Sequence, residues 1–279
     1  KLIRFQLESG ITGLVPLGTT GETPTLEEAE EDKLIDIAMA EAKGKVPVIL
    51  GASSNCTKDA VKYVKRAKDK GADYALVVTP YYNKPTDEGI YRHFAACSKV
   101  GIPIIVYNIA GRTGKNISTA LLARIAELPN IAGVKEASGD VGQMMDVIAT
   151  IKAAKPDFVV LSGDDALNIP LLALGGDGVI SVVSNIAPKE VTEMTKAALA
   201  GDFATARAMH YRLLPAFRAA FIETNPVPIK AAMKMKGLPS GTLRLPLCPL
   251  LQANEGTVRA AFEKAGILAK VEPDSGSFC

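Results

Sequence analysis

Tryptophan is absent from this chain of 279 residues, histidine occurs only twice, and aromatic residues make up 5% of it. Two histidines, His93 and His210, are too few to point to a metal centre, and both read as surface or helix-face residues. The four cysteines, at 56, 97, 248 and 279, form no C-x-x-C pair and no ligand spacing. That argues against a disulfide framework and fits reduced thiols in a cytosol-like compartment. Net charge is scarce as well: 32 basic residues against 30 acidic ones leave +2, interspersed along the chain. No basic surface of the kind nucleic acid or an anionic membrane demands is indicated. No apolar run approaches a membrane span, and the opening KLIRFQLESG is amphipathic rather than signal-like.

What is present is a 48% hydrophobic composition, enough for a large core. Short apolar, β-branched runs recur at 13–18, 47–53, 74–80, 103–108, 131–138, 158–163 and 177–182, with amphipathic segments between them. The spacing, roughly 30 residues at first and less later, is that of βα units. It predicts an α/β fold, a parallel sheet closed as a (β/α)8 TIM barrel, with an open doubly wound sheet as the competitor. Seven strands are visible; the chain starts inside what reads as the first helix, so the first strand is absent from this numbering. Thr25 with Glu28 predicts a capping box for the helix that follows. Beyond about residue 186 the strand signal stops, and helical periodicity occupies 188–200, 202–220, 226–237 and 254–267. The predicted division is a catalytic barrel over 1–200 and a helical C-terminal domain over 201–279, with 270–279 as a loose tail.

In a parallel barrel, chemistry belongs at the C-terminal strand ends, and the unusual residues gather there. Gly18-Thr-Thr-Gly21 follows the first run, Tyr81 and Tyr82 the third; Tyr107-Asn108 ends the fourth, and Ser-Gly-Asp-Asp the sixth. Lys135 lies inside the fifth run, sharing a strand face with Gly133 and Ala137. Desolvation there favours a neutral amine able to attack a ketone and form a Schiff base. The plainer alternative is an ion pair with Glu136 or Asp164. Thr19 and Thr20 can equally cap a helix, Tyr81 and Tyr82 can be ordinary loop aromatics, and Asn225-Pro226 can be a helix start.

Six motifs in order, GTTGE, TPYYNKP, YNIAGRTG, GVKEASGD, LSGDDA and GGDGVISV, resemble the dihydrodipicolinate synthase family, pyruvate-dependent class I aldolases related to N-acetylneuraminate lyase. The resemblance spans about residues 1–235 and departs at Ala110, where the family usually has proline. It implies a (β/α)8 barrel with a helical extension and condensation of pyruvate with aspartate 4-semialdehyde, the committed step toward diaminopimelate and lysine. A related lyase acting on a sugar acid or another aldehyde is the alternative. By resemblance Lys135 carries the imine, while Tyr107, Thr19 and Tyr82 form the proton relay, Tyr82 reaching a neighbouring subunit. Thr20, Gly163 and the Ile180 carbonyl surround pyruvate, and Arg112 takes the carboxylate of the second substrate. The resemblance further implies no cofactor or metal, a homotetramer built as a dimer of dimers, and a cytoplasmic or plastid location. Asn55, Asp59 and Tyr81 match a lysine feedback site, with Glu28 and Glu31 where lysine-sensitive members often carry histidine.

Overall fold

The computed structural model describes residues 1–240 and 242–270, so all but the first residue of the predicted tail lies outside the described residues. The chain runs α1 (Leu2–Glu8), α2 (Glu28–Ala42), β1 (Ile49–Gly51), α3 (Thr57–Asp69), β2 (Tyr74–Val78), α4 (Asp87–Ser98), β3 (Ile104–Asn108), α5 (Ala110–Thr113) and α6 (Thr119–Ala126). It continues through β4 (Ile131–Glu136), α7 (Val141–Val147), β5 (Val159–Ser162), α8 (Asn168–Ala173) and β6 (Gly178–Val179) to four helices, α9 (Pro188–Leu199), α10 (Phe203–Ala219), α11 (Val227–Met235) and α12 (Gln252–Lys264). The strands pair in sequence order, every pair parallel.

The predicted run at 13–18 is a short ladder rather than a full strand. Leu14 pairs with Val48, and Ile49 and Gly51 donate to the carbonyls of Leu14 and Pro16 at 2.9 and 3.0 Å. Pro16 has no N–H to continue the ladder, and Leu17 turns at φ 58°. A Cβ on Gly51 would lie 1.8 Å from the Leu17 carbonyl oxygen, so only glycine admits that turn. On the far side of the sheet, Gln6 of α1 donates to the Ser184 carbonyl beyond β6 at 2.9 Å.

Strand alternation sorts the side chains into two layers. Ala75, Val77, Ile104, Val106, Val134 and Val160 face the helices in one large core, whereas Leu76, Val78, Ile105 and Tyr107 fill the interior of the curled sheet. Apolar on both faces, these strands read in sequence as unbroken hydrophobic runs. A separate core joins Val182–Met194 to α10, α11 and α12, which fixes the C-terminal helices beside the sheet.

One helix start differs from expectation. Thr25 sits in a 3₁₀ turn with its hydroxyl on the Glu22 carbonyl at 2.9 Å, and the capping box of α2 is built by Glu27 and Glu30 instead. The Thr25 hydroxyl is engaged one turn too early to reach the helix. His93, read as a surface or helix-face residue, does lie on a helix, but buried in α4, 3.0 Å from the Thr57 hydroxyl, and desolvation lowers its pKa to about 4.

Candidate active site

Register places the two central residues. Tyr107 on β3 pairs with Lys135 on β4, and their neighbours Asn108 and Glu136 pair in turn. Alternation sends the first pair into the sheet interior and the second outward to the helices. Lys135 and Tyr107 line a cavity of about 1380 Å³ that Thr19, Thr20, Arg112, Ile180 and Asn225 also line.

The Lys135 Nζ stands over the Tyr107 ring, 4.2 Å from its centroid. Loss of water lowers its pKa to about 8; the charge of Asp165 works against that shift and Arg112 reinforces it. The predicted alternative, an ion pair, is not what holds this amine. Glu136 points away with amide partners, and Asp164 caps the Ala166 N–H at 2.8 Å. Gly163 abuts the lysine stem: a Cβ there would lie 2.6 Å from Ala137 Cβ and 3.1 Å from Lys135 Cε. Gly133, placed by alternation on the strand face of the lysine, makes way for β5, where Val159 would meet its Cβ.

Burial pushes the Tyr107 phenol up to about 12, against the pull of Arg112 and of the Thr19 hydroxyl. The phenol therefore stays protonated at neutral pH and can pass a proton through its oxygen only with a hydroxyl partner. Thr19 and Thr20 occupy a single 3₁₀ turn, Thr19–Gly21. The segment from Asn225 to Arg244, which includes α11, holds this turn and its flank. Asn225 Nδ2 donates to Thr20 Oγ1 at 2.9 Å, and Lys230 forms an ion pair with Glu22. Arg244 donates through its backbone N–H to Glu22 at 3.1 Å and forks onto Glu30 at 2.6 Å. Arg112, on α5, is exposed at the mouth and donates to the Asn225 carbonyl at 3.0 Å. A second hollow of about 840 Å³ outside it includes Gly163, Asp164 and Glu223.

Of the predicted residues, Lys135, Tyr107, Thr19, Thr20, Arg112 and Ile180 converge on one cavity, and Gly163 abuts the lysine stem. Tyr82 does not join them within this chain: it is 90% exposed, at φ 71°. Asn55 and Asp59 stand at the start of α3, tied to the Tyr81 loop by Asn83 Nδ2, which donates to the Asn55 carbonyl at 2.9 Å. Glu28 and Glu31 are engaged with Lys62 and Arg66.

Two further residues belong to the site although the sequence assigns them no part in it. Asp165, buried, receives the N–H groups of Val182 and Val183 at 2.9 and 3.0 Å and so anchors the turn after Ile180. Burial raises its pKa, opposed by the Ser181 hydroxyl and those amides. The doubled Asp in SGDD was its only signal. Asn225 had none beyond its proline neighbour. Among the described residues no cluster of three His, Cys, Asp or Glu side chains is placed to hold a metal ion.

The profile of the Dihydrodipicolinate synthetase family matches residues 1–265. The 4-hydroxy-tetrahydrodipicolinate synthase of Protochlamydia amoebophila (strain UWE25) is 53% identical over 253 residues, 90% of this chain and 84% of that protein. The crystal structure of the chloride-inhibited dihydrodipicolinate synthase of Acinetobacter baumannii complexed with pyruvate superposes with a TM-score of 0.91 at 40% identity, covering 96% of this chain and 91% of that one. The enzyme of Cyanidioschyzon merolae with lysine bound does so with 0.91 at 39% identity, covering 96% and 90%. The curled parallel sheet is therefore that of a TIM barrel, and the chain belongs to the dihydrodipicolinate synthetase family.

Proposed function

We propose that this site carries out the 4-hydroxy-tetrahydrodipicolinate synthase reaction, the lyase step of lysine biosynthesis, through an imine on Lys135. The observation that carries the reading is the desolvated Lys135 amine over Tyr107, with Thr19 lining the same cavity. The neutral amine adds to the ketone of pyruvate, and water leaves as the imine forms. The protonated imine is the electron sink that lets the pyruvate methyl lose a proton. Tyr107 and Thr19 carry protons at the imine carbon and the new hydroxyl. The enamine attacks the aldehyde carbon of aspartate 4-semialdehyde, and internal attack by the substrate's amino group then releases Lys135. Thr20, held by Asn225, faces the pyruvate carboxylate with Gly163 and the Ile180 carbonyl alongside.

Arg112 separates this reading from cleavage of a sugar acid, because a guanidinium forks onto a carboxylate. Arg112→Ala is expected to raise KM for the semialdehyde by about tenfold to a hundredfold, the scale of one or two charge-assisted hydrogen bonds, while pyruvate still forms its imine. Mass-spectrometric product analysis checks this. Cleavage of N-acetylneuraminate without turnover of the semialdehyde would sink the synthase reading.

Tyr82, exposed and in the left-handed region, fits a residue that completes a neighbour's relay in a homotetramer, a dimer of dimers. A sedimenting monomer with full activity would remove that part. Asn55, Asp59 and Tyr81 are the proposed lysine site, supported by the lysine bound to the Cyanidioschyzon merolae relative; titration calorimetry showing no heat with millimolar lysine would refute it. The cytoplasmic or plastid location is carried over from the family resemblance alone; among the described residues no helix is long and apolar enough to cross a membrane.

A further inference from the structure

Directly behind the catalytic pair lies a second, outward-facing pair that the reaction does not use. Asn108 and Glu136 are register partners, as Tyr107 and Lys135 are, and both are fully buried. The Glu136 carboxylate accepts from the Ser138 N–H at 2.7 Å, from Asn108 Nδ2 at 3.2 and 3.1 Å, and from Gln143 Nε2 at 3.0 Å. All three donors are neutral. Asn108 also donates to Asn116 Oδ1 at 2.8 Å and accepts from the Ile117 N–H at 3.0 Å. Gln143 Nε2 donates to the Ile117 carbonyl at 3.1 Å, and its Oε1 accepts from Asn116 Nδ2 at 2.8 Å. The network thus joins β3, β4, the start of α7 and residues 116–117, where the Arg112 loop ends.

A buried carboxylate without a cationic partner is costly, and two apolar side chains would hold two strands together at least as well. What the carboxylate adds is a fixed meeting point for three donors, with no proton of its own to place. We propose that Glu136 is a positioning residue, locking the register of β3 on β4 behind Tyr107 and Lys135 and tying the Arg112 loop to the same point. This rests on the imine reading of Lys135. An amide at 136 cannot substitute, because its NH₂ would face a donor. Asn108 cannot turn to relieve this, since its oxygen holds Ile117 and its nitrogen holds Asn116.

The test compares Glu136→Gln and Gln143→Met with the native protein. Turnover is expressed per site titrated by borohydride reduction with pyruvate, so that only folded, imine-forming sites are counted. Misplacing reacting groups by a fraction of an ångström to about 1 Å costs up to about a hundredfold. Glu136→Gln is expected to trap pyruvate at Lys135 yet lose about tenfold to a hundredfold in kcat, with KM for pyruvate within about threefold and a raised KM for the semialdehyde. Gln143→Met, which removes one arm at the helix end, is expected to show the same split in smaller measure and decides the matter if Glu136→Gln does not fold. Native kcat per titrated site in the folded variants overturns the proposal, as does a lowered melting temperature with no change in kcat. Absence of a trapped adduct on native protein would instead strike at the imine reading.

Discussion

Lys135→Ala is expected to abolish turnover, a fall on the order of 10⁶-fold, the scale reached when an essential nucleophile is removed. After borohydride reduction with pyruvate, intact mass should show one reduced adduct per native chain and none on the variant. The reasoning is chemical rather than positional. An ammonium cannot attack a carbonyl, and an ordinary lysine is protonated at neutral pH almost completely. Here burial brings the amine to about 8, so a usable fraction is neutral. The trapping rate should therefore rise with pH and level off above about 8, since it follows the deprotonated amine. Asp165 supplies the opposing charge, favouring the ammonium. Asp165→Asn should lower the lysine pKa and move the rise to more acidic pH. A rise that does not move would mean that this carboxyl is already neutral, and an adduct that survives Lys135→Ala would place the nucleophile elsewhere.

The strands were legible because a sheet covered on both faces needs apolar side chains at consecutive positions, and nothing else in this chain looks like that. The run at 13–18 forms less strand than its apolar pattern predicts, for Pro16 and the turned Leu17 end its ladder early. Lys135, Tyr107 and the two threonines stand out as polar residues at strand ends, and the roles proposed for them follow from the resemblance of six ordered motifs. Other parts of the site depend on distance in space, which spacing does not carry. Asn225 reaches Thr20 across 205 positions, and Lys230 reaches Glu22 across 208; neither has a local oddity to mark it. Glu136 reads as a counter-ion only because it adjoins Lys135 in sequence. Alternation puts adjacent residues on opposite faces, and that single rule separates the inward pair, Tyr107 and Lys135, from the outward pair, Asn108 and Glu136. Likewise Asp164 and Asp165 are equivalent in composition, but only Asp165 turns inward, onto the amides of Val182 and Val183.

Tyr107→Phe is expected to lower kcat by about 10²- to 10⁴-fold, the contribution of a positioned proton donor and acceptor, and to leave the Lys135 adduct obtainable on prolonged reduction. The ring itself remains, so the face on which the Lys135 amine rests is kept, and what is lost is the hydroxyl alone. With its pKa pushed up to about 12 by burial, the phenol cannot work as a phenolate at neutral pH. It can accept a proton on oxygen while giving its own to Thr19, which demands that the two hydroxyls act together. Thr19→Val should then reproduce most of the Tyr107→Phe defect, and the double variant should be little worse than Tyr107→Phe, because members of one relay do not add. Multiplicative losses in the double variant would show two independent proton paths and dismantle the relay. Unchanged kcat in Tyr107→Phe would assign the proton transfers to solvent or to the product's own groups.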